Sequence, residues 1–202
     1  SFQAILITHD HLDHIRHLGS YCKHLRRPVF TTGAILDALK KHSFTTDHIS
    51  PYGSTLPEGE PFRIPLDPSL PCDELPLVSY FIVPHDATQT VGYYIVWKEV
   101  RLVLMTDIGS MTEESLEYAR KANVVVIESN YDIGSLLSGP YPHELKMRIC
   151  GGSGHLGNEE CAKAVKDFWH KGLRNIFLCH LSDNNNSPSL AYDTVSGALK
   201  EI

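Results

Sequence analysis

The chain has 202 residues, of which 42% are hydrophobic and 21% are charged, and its formal net charge is −6. A chain of this length and composition can bury a sizeable core, which predicts a single domain over residues 1–202. The negative charge argues against broad, non-specific binding to nucleic acid. Two bound divalent cations would nevertheless reverse the local charge at the point where a phosphate sits.

The sequence shows no membrane span and no secretion signal. The longest apolar stretches, such as residues 124–127, have the length of a strand, and the first residues lack a basic region followed by an apolar run. The chain has five cysteines, an odd number, and none of them forms a Cys-x-x-Cys motif. This pattern is typical of buried free thiols in a reducing compartment. These features predict a cytoplasmic protein without a membrane partner.

Strands and helices alternate along the chain, which predicts a layered α/β domain. The first predicted elements are a strand at 2–8, a helix at 15–25, a strand at 29–31, a helix at 33–42 and, inside a turn-rich connection at 43–72, a strand at 62–66. They are followed by strands at 76–84, 91–98 and 101–106, the last two as a hairpin, a helix at 112–122, a strand at 124–128, helices at 141–150 and 158–171, a strand at 175–179 and a helix at 188–202. Thr112 with Ser115, and Ser187 before Pro188, are typical helix starts.

The most informative motif is Thr8-His9-Asp10-His11-Leu12-Asp13-His14, which follows the first predicted strand. In an extended chain, residues two apart project to the same side, so His9 and His11 can close on one metal ion. Asp13 and His14, at the start of the next helix, can serve a second ion beside it. Imidazole and carboxylate ligands favour zinc, manganese or iron over calcium.

Four further residues are placed where strands end, which is where layered α/β domains collect ligands. They are His85, Asp107, His155 and His180. Each residue alone could be an ordinary hydrogen-bonded polar residue. Together with the histidine motif they predict one site that is built from several loops.

This order of motifs resembles the metallo-β-lactamase superfamily, in which His-x-His-x-Asp-His is followed by a lone His, a bridging Asp and a final His. The resemblance covers nearly all of the chain and implies an αββα sandwich that binds two divalent ions, Zn²⁺ or Mn²⁺. It implies that the first ion is held by His9, His11 and His85, that the second is held by Asp13, His14 and His180, and that Asp107 bridges the two.

Shorter motifs look like those of the YycJ-like metallo-hydrolases within this superfamily. They are residues 83–87 with Gly92-Tyr93, Thr106-Asp107-Ile108-Gly109, Glu128-Ser129-Asn130, Gly139-Pro140-Tyr141-Pro142, Gly154-His155-Leu156, and His180-Leu181-Ser182 with Asn184-Asn185. This resemblance implies a bacterial phosphodiesterase, a nuclease of the type that acts from the 5′ ends of DNA. DNA is favoured over RNA as the substrate, and the sequence alone leaves the two open. Asp10 stands where relatives often carry Glu, a change expected to be mild because the residue is not a ligand.

The resemblance also bears on the extent of the domain. Family members carry opening strands ahead of the histidine motif and usually further strands after the last helix. The chain is therefore expected to be a truncated part of the sandwich, without the N-terminal opening strands and the C-terminal end.

The ligand set predicts the chemistry, with Asp13, Asp107 and His155 as catalytic residues. Two ions lower the pKa of a bridging water, which produces a hydroxide nucleophile at neutral pH. His155, after the glycine-rich residues 151–154, could protonate the leaving oxygen, and the N-terminus of the helix at 158 could receive a phosphate. Asp86, Glu128 and Asn130 are candidate hydrogen-bond partners of the metal-bound histidines.

Two other functions remain open from the sequence. The same ions could activate water against the carbonyl of a thioester or a lactam, and a metal-binding protein without catalysis could keep the ligands alone. Residues Gly154 and His155 ahead of a helix suit a phosphate better than a thioester. All seven ligand positions hold competent residues, which favours catalysis over a scaffold.

Overall fold

The computed structural model describes residues 2–43, 45–65 and 69–200. Within these ranges, three short parallel strands form a small sheet: β1 (Ile5–Leu6), β2 (Val29–Thr31) and β3 (Gly53–Thr55). Six strands form a larger sheet: β4 (Phe62–Arg63), β5 (Leu77–Val83), β6 (Thr90–Trp97), β7 (Val100–Met105), β8 (Val124–Glu128) and β9 (Asn175–Cys179).

The larger sheet follows the chain from one edge to the other, in the order β4-β5-β6-β7-β8-β9. Its strands are antiparallel from β4 to β7 and parallel from β7 to β9. Since the carboxyl ends of β7, β8 and β9 point the same way, the loops that follow these three strands meet at one edge of the sheet.

Nine α-helices are described. They are α1 (Leu12–Ile15), α2 (Leu18–Leu25), α3 (Gly33–Lys41), α4 (Thr46–Ile49), α5 (Glu113–Lys121), α6 (Ile133–Ser138), α7 (His143–Ile149), α8 (Asn158–Phe168) and α9 (Pro188–Leu199). None of the helices in the described ranges is both long and apolar enough to cross a lipid bilayer.

Alternate residues of the larger sheet face two different cores. Phe81 and Val83 of β5 pack with buried residues of α5, α8 and α9. Val78 of the same strand and Tyr93 of β6 pack with the smaller sheet and with buried residues of α2 and α3. This alternation of period two places the larger sheet between a helical layer and the smaller sheet, as in the αββα sandwich.

Several predicted elements are shorter or divided in the structure. The strand predicted at 2–8 is paired only over Ile5–Leu6, because its partner β2 begins at Val29 and is three residues long. The helix predicted at 15–25 is observed from Leu18 as α2, and a separate short helix ahead of it, α1, carries Asp13 and His14.

Three short elements were not predicted. Helix α4 and strand β3 lie in the stretch 43–72, whose turn-rich composition pointed to connection alone, and α6 lies between predicted elements. The predicted strand at 62–66 is observed over Phe62–Arg63, and its last residue lies outside the described ranges, as do residues 201–202 of the last predicted helix. The hairpin of β6 and β7 and the helix starts at Thr112 and Ser187 are confirmed.

The cysteines form no disulfide, as predicted. Cys22 and Cys161 are buried, but Cys72 is exposed and Cys150 and Cys179 are half-buried. The prediction of buried thiols was therefore wrong for Cys72, which lies in a short 3-10 turn at Cys72–Glu74 outside both cores.

Tyr93 ties the two sheets together close to the histidine motif. Its hydroxyl donates a hydrogen bond of 2.5 Å to Ile7 O, which also accepts one from Thr31 Oγ1 at 2.9 Å. Burial raises the pKa of Tyr93, so the hydroxyl stays protonated and can donate. Tyr93→Phe should lower the free energy of unfolding by about 1 kcal/mol, since Ile7 O keeps its second donor. Urea denaturation measures the difference.

Tyr80, on the neighbouring strand, is the matched control for this variant. It packs beside the same core, and its hydroxyl makes no hydrogen bond with a described residue. Tyr80→Phe should change the midpoint of urea denaturation little. An equal loss of stability in both variants would show that the Tyr93 hydrogen bond contributes nothing specific.

Candidate metal centre

The histidine motif lies beside the turn between β5 and β6. Thr8 O accepts a hydrogen bond of 2.9 Å from Val91 N, which holds the end of the small sheet against the start of β6. The Asp10 carboxylate accepts two more, from Thr88 N at 3.1 Å and from Thr88 Oγ1 at 2.6 Å. Asp10 thus fixes the motif to the loop that carries His85, although it is not among the predicted ligands.

Two predicted ligands follow parallel strands in the same unusual conformation. Asp107 lies two residues after β7, His180 directly follows β9, and both have a φ of 54°. This left-handed region is uncommon for residues other than glycine and often marks functional sites. The structure therefore brings both side chains to the edge of the sheet where the histidine motif also lies.

The first group of ligand atoms consists of His9, His11 and His85, whose candidate atoms lie within 4.8 Å of one another. His11 Nδ1 and His85 Nε2 are 3.3 Å apart. The other nitrogen of each ring has a partner elsewhere: His11 Nε2 lies 3.2 Å from Asp86 O, and His85 Nδ1 lies 2.8 Å from Gly154 O. These carbonyl partners select the tautomer that leaves the inner nitrogen as the ligand atom.

The second group consists of Asp13, His14 and His180, which also lie within 4.8 Å of one another. His14 Nε2 is 3.8 Å from Asp13 Oδ2. The turn of α1 carries Asp13 and His14, and the loop after β9 supplies His180.

Asp107 lies between the two groups and is buried, with 2% of its surface exposed. Its Oδ1 atom is 3.7 Å from His85 Nε2 and 3.5 Å from His180 Nε2. Its Oδ2 atom is 3.3 Å from His14 Nε2. The carboxylate therefore reaches both groups, as a bridging ligand must.

The buried environment of His9 fits a metal ion. Its Nδ1 atom lies 3.0 Å from Thr8 Oγ1, whereas Nε2 is buried and has no hydrogen-bond partner among the described residues. Such an orphaned polar atom is costly unless another ligand satisfies it. Burial lowers the pKa of His9 to about 3, so the ring is neutral and its lone pair is available. These donors suit Zn²⁺ or Mn²⁺.

Glu128 connects two of the site histidines and is fully buried. Its Oε1 atom lies 2.8 Å from His155 Nδ1 and 2.6 Å from His180 Nδ1, and its Oε2 atom accepts from Ile108 N at 2.7 Å. Burial alone would raise the pKa of Glu128, but the hydrogen bonds from both histidines outweigh it and hold the pKa below its ordinary value. The carboxylate thus stays ionised and orients both rings.

Two other predicted partners also lie at the site. Asn130 Nδ2 donates to His180 O at 2.7 Å. Asp86 Oδ1 lies 3.6 Å from His85 Nε2 and 3.7 Å from His11 Nε2. Both side chains therefore touch the ligand histidines without belonging to either ligand group.

His155 is placed beside the ligands but faces a cavity of about 340 Å³. Its Nδ1 atom is held by Glu128, which leaves Nε2 without a partner among the described residues. The same cavity is lined by His11, Asp13, Asp107 and His180. A molecule in the cavity would contact His155 and both ligand groups at once.

The phosphate cradle predicted at the start of the helix at 158 is wrong. Asn158 N donates to Tyr131 O at 2.8 Å, and Asn158 is only 2% exposed. His155 N donates to Ile149 O at 2.8 Å. These two N–H groups are bonded inside the fold, and none of the first residues of α8 lines the cavity.

The glycine-rich loop has a packing role instead. A Cβ atom on Gly154 would lie 2.1 Å from Arg148 O, and a Cβ atom on Gly109 would lie 2.4 Å from Gly152 O. Glycine is needed at both positions for the close approach of two backbones. The approach brings Gly154 O to His85 Nδ1, and sequence reasoning missed this contact.

Other partners were missed as well. Thr8 Oγ1 and Asp86 O hold the rings of His9 and His11, and Arg148 lies at the cavity. Thr8 directly precedes the first histidine, which was a usable signal. A backbone carbonyl carries no signature of residue type, and Arg148 stands far from every quoted ligand in the sequence.

Comparisons with known proteins agree with this fold. The sequence profile described as "Beta-lactamase superfamily domain" matches residues 1–180. Exodeoxyribonuclease YycJ of Bacillus anthracis is 32% identical over 198 residues, which cover 98% of this chain and 71% of that protein. Exodeoxyribonuclease WalJ of Streptococcus pneumoniae is 29% identical over 204 residues, with coverages of 98% and 70%.

A solved structure shares the fold at low sequence identity. The metallo-beta-lactamase fold protein YhfI of Bacillus subtilis superimposes with a TM-score of 0.69 at 14% identity, over 98% of this chain and 72% of that one. The fold and the site thus define a metal-dependent hydrolase of metallo-β-lactamase fold. The chain belongs to the beta-lactamase superfamily domain family, as a YycJ-like member.

Proposed function

We propose that the protein is a nuclease that hydrolyses DNA from 5′ ends with two divalent ions, Zn²⁺ or Mn²⁺, at the candidate centre. The observation that carries the proposal is the pairing of two ligand groups through Asp107, with the Glu128–His155 pair in the same cavity. The names of the two sequence relatives, both exodeoxyribonucleases, support a DNA substrate.

Seven side chains would hold the ions in this proposal. His9, His11 and His85 hold one, Asp13, His14 and His180 hold the other, and Asp107 is shared. When bound, two such ions lower the pKa of a water molecule so that it can attack phosphorus, and they neutralise the charge that develops on the phosphoryl oxygens. The carbonyls of Asp86 and Gly154 keep the rings of His11 and His85 in place for this task.

His155 acts on the leaving group. Glu128 accepts the Nδ1 hydrogen and orients the ring, so Nε2 is placed to give a proton to the departing sugar oxygen. The same carboxylate orients His180, which couples the acid to the second ligand group. Asp107 and Asp13 contribute by fixing the ligand groups at the place where the phosphate is attacked.

The Glu128–His155 pair also distinguishes a phosphodiester from a thioester. A sugar alkoxide is a poor leaving group and needs a proton, whereas a thiolate leaves without one. A positioned acid beside the ligand groups therefore favours phosphodiester hydrolysis.

We place the protein in the cytoplasm of a bacterium, in keeping with its unpaired cysteines and its bacterial relatives. We also take the chain as one domain, because both sheets supply ligands to the same cavity: the small sheet through the histidine motif, and the larger sheet through His85, Asp107 and His180.

End-labelled substrates test the proposed function. Purified protein reconstituted with Zn²⁺ or with Mn²⁺ is assayed on duplex and single-stranded DNA and on RNA, each labelled at the 5′ or the 3′ end, and on a thioester. We expect the 5′ label to be released early as a mononucleotide, while the 3′ label stays on long fragments that shorten with time. DNA should be degraded faster than RNA.

Other results would redirect the assignment. Early release of the 3′ label would reverse the polarity, and faster degradation of RNA would change the substrate. Hydrolysis of the thioester without any phosphodiester cleavage would establish the alternative hydrolase. A metal-loaded protein that cleaves none of these substrates would contradict the proposal.

A further inference from the structure

One wall of the cavity carries no metal ligand and comes from α7 and the residue two positions before it. Leu145, Arg148 and Ile149 line this wall together with Tyr141. Leu145, Arg148 and Ile149 have the spacing of one face of α7, which explains why they project together, and Tyr141 lies just before the helix. The wall is largely apolar and holds a single guanidinium group.

Among the described residues that line the cavity, Arg148 is the only lysine or arginine. Three carboxylates, those of Asp13, Asp86 and Asp107, line it too, and the whole chain has a net charge of −6. A polyanionic substrate therefore meets few positive groups of the protein here, which makes the position of Arg148 important.

The contacts of Arg148 leave most of its donors unused. Its Nε atom donates to Asp86 Oδ2 at 2.6 Å, and 63% of the side chain is exposed. The Nη groups have no partner among the described residues. A guanidinium has five N–H donors in a fixed fork that matches a phosphate, so Arg148 can bind an anion while it keeps Asp86.

Asp86 sets how far Arg148 lies from the ligand groups. Its Oδ1 atom is 3.6 Å from His85 Nε2, and its Oδ2 atom accepts from Arg148. The guanidinium is thus separated from the ligand histidines by one carboxylate. This arrangement suits a neighbouring phosphate of a strand better than the phosphate at the ligand groups.

We propose that Arg148 binds a second phosphate of the substrate, next to the one that is cleaved. The preferred substrate is then a polynucleotide with at least two phosphates rather than an ester of one nucleotide. This inference rests on the proposed nuclease function. The exposed pair with Asp86 contributes little stability, but it holds the guanidinium near its binding position and so lowers the cost of ordering it.

Two substrates with the same leaving group test the proposal. The p-nitrophenyl ester of thymidine 5′-phosphate has one phosphate, and the p-nitrophenyl ester of the dinucleotide pTpT has two. Arg148→Ala should raise KM for the second substrate roughly tenfold, the scale of a lost hydrogen bond to a charged group, and leave kcat/KM for the first within about twofold. Arg148→Lys should fall between, because it keeps the charge and loses the fork.

Arg120→Ala is the matched control. Arg120 is also exposed and paired with a carboxylate, Glu113 at 2.8 Å, but it lies on α5 and does not line the cavity. This variant makes the same change of charge and loses the same kind of ion pair. It should leave both substrates unaffected.

Binding gives a readout that does not depend on turnover. The affinity for a fluorescent phosphorothioate oligonucleotide, which resists hydrolysis, is measured by anisotropy at several salt concentrations. Loss of one phosphate contact in Arg148→Ala should reduce the slope of log K against log salt by about 0.7, and Arg120→Ala should retain the wild-type slope.

The outcomes separate this inference from the proposed function. Equal losses of kcat/KM on both esters in Arg148→Ala would mean that Arg148 supports the site through Asp86. Unchanged kinetics and an unchanged salt slope would exclude a phosphate contact. Either result overturns the inference while the nuclease assignment stands. A wild-type protein that cleaves no phosphodiester would overturn the nuclease assignment instead. If the wild-type protein also shows the same slope of log K against log salt as Arg148→Ala, the inference about Arg148 fails as well.

Discussion

Asp107→Ala should remove both metal ions and with them the hydrolysis of phosphodiesters. Its two carboxylate oxygens reach His85, His14 and His180, so each ligand group loses a donor when the side chain is truncated. The loss of affinity at each group should exceed the roughly 10–100-fold seen when only a partner of a ligand is removed. Elemental analysis after reconstitution with Zn²⁺ should fall from two ions per chain towards none.

Two further variants make this result specific. His180→Ala should weaken mainly the second group and leave about one ion per chain. Asp107→Asn keeps the shape and tolerates the left-handed backbone at a φ of 54°, where alanine is strained, so it separates lost charge from altered folding. Urea denaturation without metal checks the fold. Equal metal loss in His180→Ala and Asp107→Ala would show that Asp107 does not bridge.

The positions of the ligands could be predicted because they follow from simple periodicities. His9 and His11 are two residues apart in extended chain, and Asp107 and His180 each follow a short apolar strand. Parallel strands end at the same edge, so such residues converge even though 73 positions separate them in the sequence. Ligand chemistry adds the rest, since only a few residue types bind these ions.

The contacts that complete the site could not be predicted in the same way. The carbonyls of Asp86 and Gly154 hold two imidazole rings, and every residue carries a carbonyl. The predicted phosphate cradle failed for a related reason: Asn158 begins a helix as expected, but its N–H group is bonded to Tyr131 O from a distant segment. Tertiary packing, rather than local pattern, decides which backbone groups remain free.

His155→Ala should leave both metal ions bound and lower turnover of DNA by roughly 10²–10⁴, the range for loss of a positioned acid. The imidazole lies at the cavity with Nδ1 on Glu128. His155 belongs to neither of the two proposed ligand groups, although it also lies within ligand distance of Asp107, Glu128 and His180. Steady-state rates and elemental analysis are measured on the same preparation. His24→Ala, an exposed histidine on α2, is the control and should behave as wild type.

The leaving group shows whether His155 acts as an acid. A p-nitrophenolate departs without a proton, so the same variant should lose much less activity on the p-nitrophenyl ester of thymidine 5′-phosphate than on DNA. A similar loss on both substrates would point to a role in binding the phosphate. Loss of a metal ion would make His155 a ligand, and full activity would leave it without a role.

Glu128→Gln extends this test to the group that holds the acid. Glutamine keeps the size but lacks the second carboxylate oxygen and the charge that hold Nδ1 of His155, so it should reproduce the leaving-group dependence of His155→Ala. Because Oε1 also lies 2.6 Å from His180 Nδ1, it should in addition weaken metal binding at the second group, which His155→Ala does not. The double variant Glu128→Gln/His155→Ala already lacks the acid. Any loss of activity beyond that of His155→Ala alone therefore measures the part of the Glu128 effect that acts through His180.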